Sequence, residues 1–330
     1  MKNKSPSNNE KERIIEEVQK LLEERGRKPL EMVRKAILEE EIESKEVKEA
    51  LHYFITEYWH DLARPTLMSI CCEAVGGDPN ATIPFAVSLS LISGALDIQD
   101  DIIDQSKTKH GRPTVYGKYG KEIAILAADA LLFKGFTLLN QACIQIPRER
   151  AREIMKTIKD MFYELGDAEA LELNLRKRIE ISQRKYLRLI NKKAADVEAV
   201  AKIGAILGNT HRVHIENLAK YGRLLGNIFL LYEDYVDVMD MKEMLHRLRK
   251  EHLPLLLVDA LRIDPNLREK IVLLQRRQSR KILIELQEKA IDCLESYRKI
   301  MINFIKRIKK LTMSYPNSRQ LNLLALTYIP

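Results

Sequence analysis

The sequence predicts an all-α protein, a single domain of many long helices. Three observations carry that prediction. Apolar residues recur every three or four positions along most of the chain, the spacing of a helix buried along one side. Turn formers are scarce, with 13 glycines and 11 prolines in 330 residues. Alternation of apolar and polar residues never lasts more than a few positions, which argues against strands. Apolar residues make up 45% of the chain, enough for a sizeable core, and the net charge is +8.

The elements follow in order. Residues 1–12 are polar and read as a flexible tail, leaving 13–330 as the helical domain. In "ERIIEEVQKLLEERG" the apolar residues Ile14, Ile15, Val18, Leu21 and Leu22 mark a helix that Gly26 is expected to close. "VSLSLISGALDIQDDIID" is more apolar and reads as a core helix. The uncharged run Ala81–Leu96 contains Pro84 and falls short of the roughly 20 residues of a membrane span. "HGRPTVYGKYG", with three glycines and a proline, reads as a loop, and a buried helix resumes at "KEIAILAADALLFKGFTLLNQA". A long mixed stretch runs from Pro147 to Lys193, and "AKYGRLLGNIFLLYEDYVDVMD" is another apolar helix ending in acid. Residues 268–310 hold 13 Lys or Arg against 5 Asp or Glu, a solvated helix face or a surface for polyanions. Cys71, Cys72, Cys143 and Cys293 lack CxxC spacing and read as reduced, buried thiols of a cytoplasmic protein. Trp59 and the tyrosines are not interleaved with a basic stripe, so nothing points to nucleic acid.

Chemistry concentrates in two acidic segments. Asp97, Asp100, Asp101 and Asp104 fall at i, i+3, i+4 and i+7, which places all four on one helix face. Like charges at that spacing repel, so a solvated helix gains nothing from them, whereas a site for divalent cations does. "EDYVD" repeats the pattern with Glu233, Asp234 and Asp237. Two such helices facing each other would surround one cavity with about six carboxylates, the oxygen ligands that Mg²⁺ takes when it bridges protein to phosphate.

These residues carry a resemblance. "DDIID" with the following "KHGRPTVYGKYGKEIAILAADALLFKGFTLL" resembles the first aspartate-rich region of the trans-isoprenyl diphosphate synthases. "RPTLMSICCEAVGGDP", "YGRLLGNIFLLYEDYVD" and "RLRKEHLPLLL" resemble other segments of that family, in the right order over residues 45–260. The resemblance implies the isoprenoid synthase fold, a helical bundle around a central apolar cavity. It implies a homodimer, or a heterodimer with a related synthase, and an apolar product that permits peripheral membrane contact. The reaction it implies is ionisation of an allylic prenyl diphosphate, aided by three Mg²⁺ ions. By the same resemblance Asp100, Asp104, Glu233 and Asp237 are the catalytic metal ligands, supported by Asp101 and Asp234. Arg64, Lys109, His110, Lys192, Lys193 and Lys250 would bind substrate diphosphate. Ser93, Gly94, Ala95, Leu96 and Phe229 would set product length. Without an aromatic plug beside the first cluster, a chain of C15–C20 or more would fit.

The sequence also departs from the family. Asp61 and Leu62 stand where a Lys and an Arg usually bind isopentenyl diphosphate, and Ser93 stands for a histidine. Lys109 and His110 replace paired arginines, Lys193 follows Lys192 where a threonine is usual, Leu230 replaces a glutamine, and Glu233 replaces an aspartate. Asp97 is a further oddity, on a position usually apolar or small and polar. The acid clusters are kept while the second diphosphate's site is largely altered. The leading expectation is therefore an enzyme that ionises a prenyl diphosphate without isopentenyl diphosphate, by cyclisation, elimination or transfer to another acceptor. The alternatives are an ordinary chain-elongating synthase of geranylgeranyl type and a non-catalytic partner subunit.

Overall fold

The computed structural model describes residues 8–109, 111–176 and 178–328. It is all-α, with sixteen α-helices among those residues and one two-stranded ribbon. The helices are α1 (Asn8–Leu38), α2 (Lys45–Tyr53), α3 (Ala63–Ala74), α4 (Ile83–Ile103), α5 (Val115–Tyr119), α6 (Lys121–Ile144), α7 (Arg148–Leu173) and α8 (Gln183–Lys193). They continue as α9 (Ala195–Leu207), α10 (Arg212–Met239), α11 (Met241–Lys250), α12 (Leu255–Ile263), α13 (Leu267–Arg276), α14 (Arg280–Asp292), α15 (Leu294–Thr312) and α16 (Ser318–Leu326). The chain forms two compact units. One takes residues up to Thr157 with Val200–Glu216 and Tyr315–Leu323; the other takes Ile158–Ala199, Asn217–Ser314 and the residues from Leu324.

In the first unit, α1 starts at Asn8, within the stretch read as a tail, and runs on through Gly26 and Pro29. Gly26 does not end it because the apolar stripe continues: Val18 and Leu21 are joined by Leu30, Val33 and Ile37, all buried. Burial of that stripe outweighs the weak helix preference of one glycine and the hydrogen bond that Pro29 cannot make. Ser44 caps α2 by accepting from the Val47 N–H, and Thr114 caps α5 by accepting from the Gly117 N–H at 2.9 Å. The glycine-rich loop holds a small ribbon, Thr108–Lys109 against Arg112–Pro113, where alternation is too short to read from sequence.

The core of this unit is α4 packed along α6. Pro84 sits in the first turn of α4, where its missing N–H costs nothing. A Cβ on Gly135 of α6 would lie 2.7 Å from Ile92 Cγ1 and 3.0 Å from the Ser88 carbonyl, so only glycine permits this approach. Counted with its flanks, Pro79–Ile103 is 25 residues, long and apolar enough to cross a membrane, yet 72% of its apolar window is buried inside the protein. That burial marks a core helix. All four cysteines are buried and free.

In the second unit, Ser182 caps α8, and Asp240 caps α11 by accepting from the Lys242 N–H at 2.7 Å. The C-terminal carbonyls of α10 are met by Gln287, whose amide donates to Val238 O at 3.0 Å and Met239 O at 2.7 Å. Arg223 ties α10 down by a two-pronged pair with Glu164 at 2.9 Å and a further pair with Glu198.

Candidate active site

The first acidic segment ends α4. Asp104 is the C-cap, and its N–H donates to Asp100 O at 2.8 Å, so the i, i+4 spacing keeps Asp100 and Asp104 one turn apart. Asp101 and Asp104 are buried while Asp100 is half-buried. Lys109, on the first strand of the ribbon, brings its ammonium 3.5 Å from Asp101 Oδ1 and 4.0 Å from Asp100 Oδ2. No hydrogen bond of good geometry reaches Asp101 Oδ1 among the described residues. Burial raises the Asp101 carboxyl to about 7; Lys109 opposes that rise, and Asp100 and Asp97 reinforce it.

Asp97 has its own partner. Trp59 Nε1 donates to Asp97 Oδ2 at 2.8 Å, and the indole stacks on Phe54 with centroids 5.6 Å apart. Asp97 therefore anchors Trp59, which explains an acid at that place, and Trp59 is a core anchor with 9% exposure. Burial raises the Tyr58 phenol well above its ordinary range, and Asp101 adds to it. Sequence reasoning missed Tyr58; nothing in its local pattern distinguishes it from a packing tyrosine.

The second acidic segment lies on the last two turns of α10. Arg247 of α11 donates to Asp237 Oδ2 at 2.8 Å and to Asp234 Oδ1 at 2.9 Å, and pairs with Glu251 at 2.8 Å. Asp234 Oδ2 accepts from the Leu255 N–H at 2.8 Å. Both oxygens of Asp234 are thus engaged, and the side chain is 1% exposed. Burial still lifts its carboxyl above the usual range, against Arg247. Asp234 holds α11 and the start of α12 in place, while Asp237 keeps partial exposure and Glu233 is exposed. Arg247 was also missed from sequence, because a basic residue ten positions beyond an acid looks like any surface arginine.

Of the six basic residues expected to meet diphosphate, four already face carboxylates. Arg64 pairs with Asp61 at 3.0 Å, and Asp61 Oδ1 also accepts the N–H groups of Ala63 and Arg64 at 2.9 and 3.1 Å. Asp61 is therefore a cap for the start of α3. Lys192 pairs with Asp167 at 2.7 Å, and Lys193 with Glu169 at 3.1 Å and with Glu172. Lys109 sits between the first-segment acids, Lys250 lines a separate cavity of α11 and α14, and His110 lies outside the described residues. His214 Nδ1 lies 3.2 Å from the Tyr315 hydroxyl, a structural contact.

The residues expected to set chain length divide. Gly94 is a packing residue: a Cβ there would lie 2.9 Å from Phe54 Cε1. Ser93 and Ala95 are buried on α4, Leu96 is half-buried, and Phe229 packs on Tyr328 with centroids 4.5 Å apart.

Among the described residues no group of three or more His, Cys, Asp or Glu side chains is gathered as a metal site. The donor set of the first segment nevertheless fits Mg²⁺. It offers hard carboxylate oxygens, one of them buried without a hydrogen bond, with a single lysine standing where positive charge is needed. In the second segment Asp237 and Glu233 suit such an ion better than Asp234, whose oxygens are taken.

A helical fold whose apolar helices end in paired aspartates defines a class of diphosphate-handling proteins, and comparison names it. The family model for polyprenyl synthetases matches residues 44–288. A short chain isoprenyl diphosphate synthase of Methanothermobacter thermautotrophicus is 30% identical over 242 residues, 71% of this chain and 72% of that protein. The large subunit 2 of a heterodimeric geranylgeranyl pyrophosphate synthase of Arabidopsis thaliana is 32% identical over 65% of this chain and 59% of its own length. The crystal structure of a geranylgeranyl pyrophosphate synthetase from Pyrococcus horikoshii Ot3 superposes with a TM-score of 0.83 at 26% identity, covering 95% of this chain and 98% of that one. The chain belongs to the polyprenyl synthetase family, whose members are transferases that use prenyl diphosphates.

Proposed function

We propose that the protein is a Mg²⁺-dependent, chain-elongating prenyl diphosphate synthase of geranylgeranyl type. It joins an allylic diphosphate of C10–C15 to isopentenyl diphosphate. The observation that carries this reading is the DDIID segment, set at the end of a largely buried apolar helix and retaining a carboxylate oxygen without a hydrogen bond. The synthases among the relatives support elongation over the reaction without isopentenyl diphosphate that the altered basic residues suggest.

In this reading Asp100, Asp101 and Asp104 hold divalent cations, and Glu233 and Asp237 do the same on α10; three ions is the number that the family resemblance implies. Bound Mg²⁺ supplies the positive charge that stabilises the departing diphosphate. Lys109 orients the first-segment carboxylates and meets a phosphoryl oxygen once they are neutralised. The buried wall of α4 keeps water from the allylic cation that forms. Arg247 fixes Asp237 through its Oδ2 while the side chain stays partly exposed.

A specific observation favours the second reading, ionisation without isopentenyl diphosphate. Arg64, Lys192 and Lys193 are each already paired with a carboxylate, so a second diphosphate must displace those partners. Incubation with C10, C15 and C20 allylic diphosphates, with and without isopentenyl diphosphate, distinguishes the two by mass spectrometry. Elongated linear diphosphates are expected. Diphosphate release at the same rate without isopentenyl diphosphate, with cyclic or eliminated products, would replace this reading by the second.

We propose further that the chain works as a dimer. The outer face of α6 exposes Leu126, Phe133 and Ile144 in one stripe, with Phe133 73% exposed.

A further inference from the structure

A second charged site shares no lining residue with the aspartate segments. A cavity of about 620 Å³ is lined by Lys242, His246, Arg249 and Lys250 of α11 and by Arg280 of α14, with Leu283 on its apolar wall. The α11 residues fall at i, i+4, i+7 and i+8, one helix face. Arg247 leaves α11 from the opposite side to grip Asp234 and Asp237. The cavity is thus on the far face of α11 from the second acidic segment.

No acid lines this cavity. His246 lies 3.5 Å from Glu251, and Arg249 donates through Nε to Leu274 O at 2.9 Å, which leaves the outer guanidinium N–H groups of Arg249 for other contacts. Lys242 and Arg280 enter no ion pair among the described residues. The cavity also meets the start of α14. Ser279 gives that helix no side-chain cap, and the first helical bond is from the Leu283 N–H to Ser279 O, so the N–H groups before it point out of the helix. Its volume falls in the range of small-molecule sites.

We propose that this cavity binds the diphosphate group at a site separate from the aspartate segments and independent of metal. A single phosphate reaches only part of this lining, in which Lys242, Arg249 and Arg280 offer positive charge. Two linked phosphoryl groups answer the cations of α11 and the open N–H groups of α14 together. Leu245 and Leu283 form the apolar part of the wall, which suits a diphosphate carrying a short prenyl chain.

The test is calorimetric titration of the full chain with inorganic diphosphate in EDTA. Without divalent cations the aspartate segments repel diphosphate, so binding there is suppressed. One saturable site per chain is expected. The double variant Lys242→Glu, Arg280→Glu should weaken it by about 100-fold or more, since each charge-assisted contact is worth roughly ten-fold. Both side chains are exposed, so the fold tolerates the change. Asp100→Ala should leave the binding intact. A C10 prenyl diphosphate titrated under the same conditions identifies the source: binding ten-fold tighter assigns the site to a prenyl diphosphate, equal binding to free diphosphate. No saturable binding at millimolar diphosphate, or unchanged binding in the double variant, or its loss in Asp100→Ala, would overturn the proposal.

Discussion

The two acidic segments have the same spacing in sequence and opposite surroundings in the fold. At the end of α4, one lysine approaches two carboxylates at 3.5 and 4.0 Å, and a buried oxygen is left without a hydrogen bond. On α10, Arg247 grips Asp234 and Asp237 at 2.9 and 2.8 Å, and a backbone N–H takes the other oxygen of Asp234. The first segment keeps a buried oxygen without a hydrogen bond beside one lysine, and the other is partly committed to holding helices together. A shared DxxD spacing therefore does not imply a shared job for each aspartate. The middle acid meets a single lysine in one segment and is fully engaged, and structural, in the other.

That contrast can be broken experimentally. The largest effect is expected at the first segment. Asp100→Ala or Asp104→Ala should lower turnover by about three orders of magnitude or more, the scale of losing a main electrostatic stabiliser, while the melting temperature barely moves. Near-normal turnover in both would remove the first segment from the chemistry.

Next comes the committed segment. Arg247→Ala leaves Asp234 buried without its counter-charge, and breaking such a pair costs about 3–5 kcal/mol. Denaturant unfolding should show that loss, and Asp234→Asn should show a smaller one. If Arg247→Ala unfolds like the parent, the two segments are alike after all.

The smallest effect concerns the ionic cluster behind α8. Glu172 and His252 are both 3% exposed, with Glu172 Oε1 2.7 Å from His252 Nδ1 and Lys193 on the other oxygen. Burial alone would raise the Glu172 carboxyl, but Lys193 and His252 outweigh it and hold it well below 4.5. A carboxyl depressed in the folded state contributes stability above its unfolded value, and that stability is lost as pH falls through the folded value. Stability should therefore decline with acid below about pH 4.5, and Glu172→Gln should flatten that part of the profile. An identical acid slope in the variant would assign the decline to other groups.

Much of this was legible in sequence, and the misses share a cause. Helical periodicity revealed the all-α class and the buried α4, because burial on one side writes itself into spacing. The acid segments stood out because charge repeated at helical spacing is unusual on an apolar helix, yet spacing did not show that Asp97 and Asp234 have structural partners. Gly26 misled because a glycine is a local signal, whereas the apolar stripe through Val33 and Ile37 is a tertiary one. Asp61 reads in sequence as a lost basic residue of the second diphosphate's site, and its capping of α3 depends on backbone geometry that spacing does not encode. Arg247 and Tyr58 needed a neighbour brought from another element.

One feature of both acid-tipped helices bears on how the protein can be studied. Neither α4 nor α10 has a basic residue in its last turn. The C-terminal end of a helix carries partial negative charge, so each carboxylate there is disfavoured by about 0.3–1 kcal/mol. The helix ends thus hold carboxylates against their own partial charge, offset by Arg247 on α10 and by Lys109 on α4. A ligand that binds only the folded chain raises its stability, by about 2.7 kcal/mol at one hundred times the dissociation constant. Mg²⁺ with a diphosphate should therefore raise the melting temperature, and a melting curve becomes a gauge of cation loading that needs no turnover.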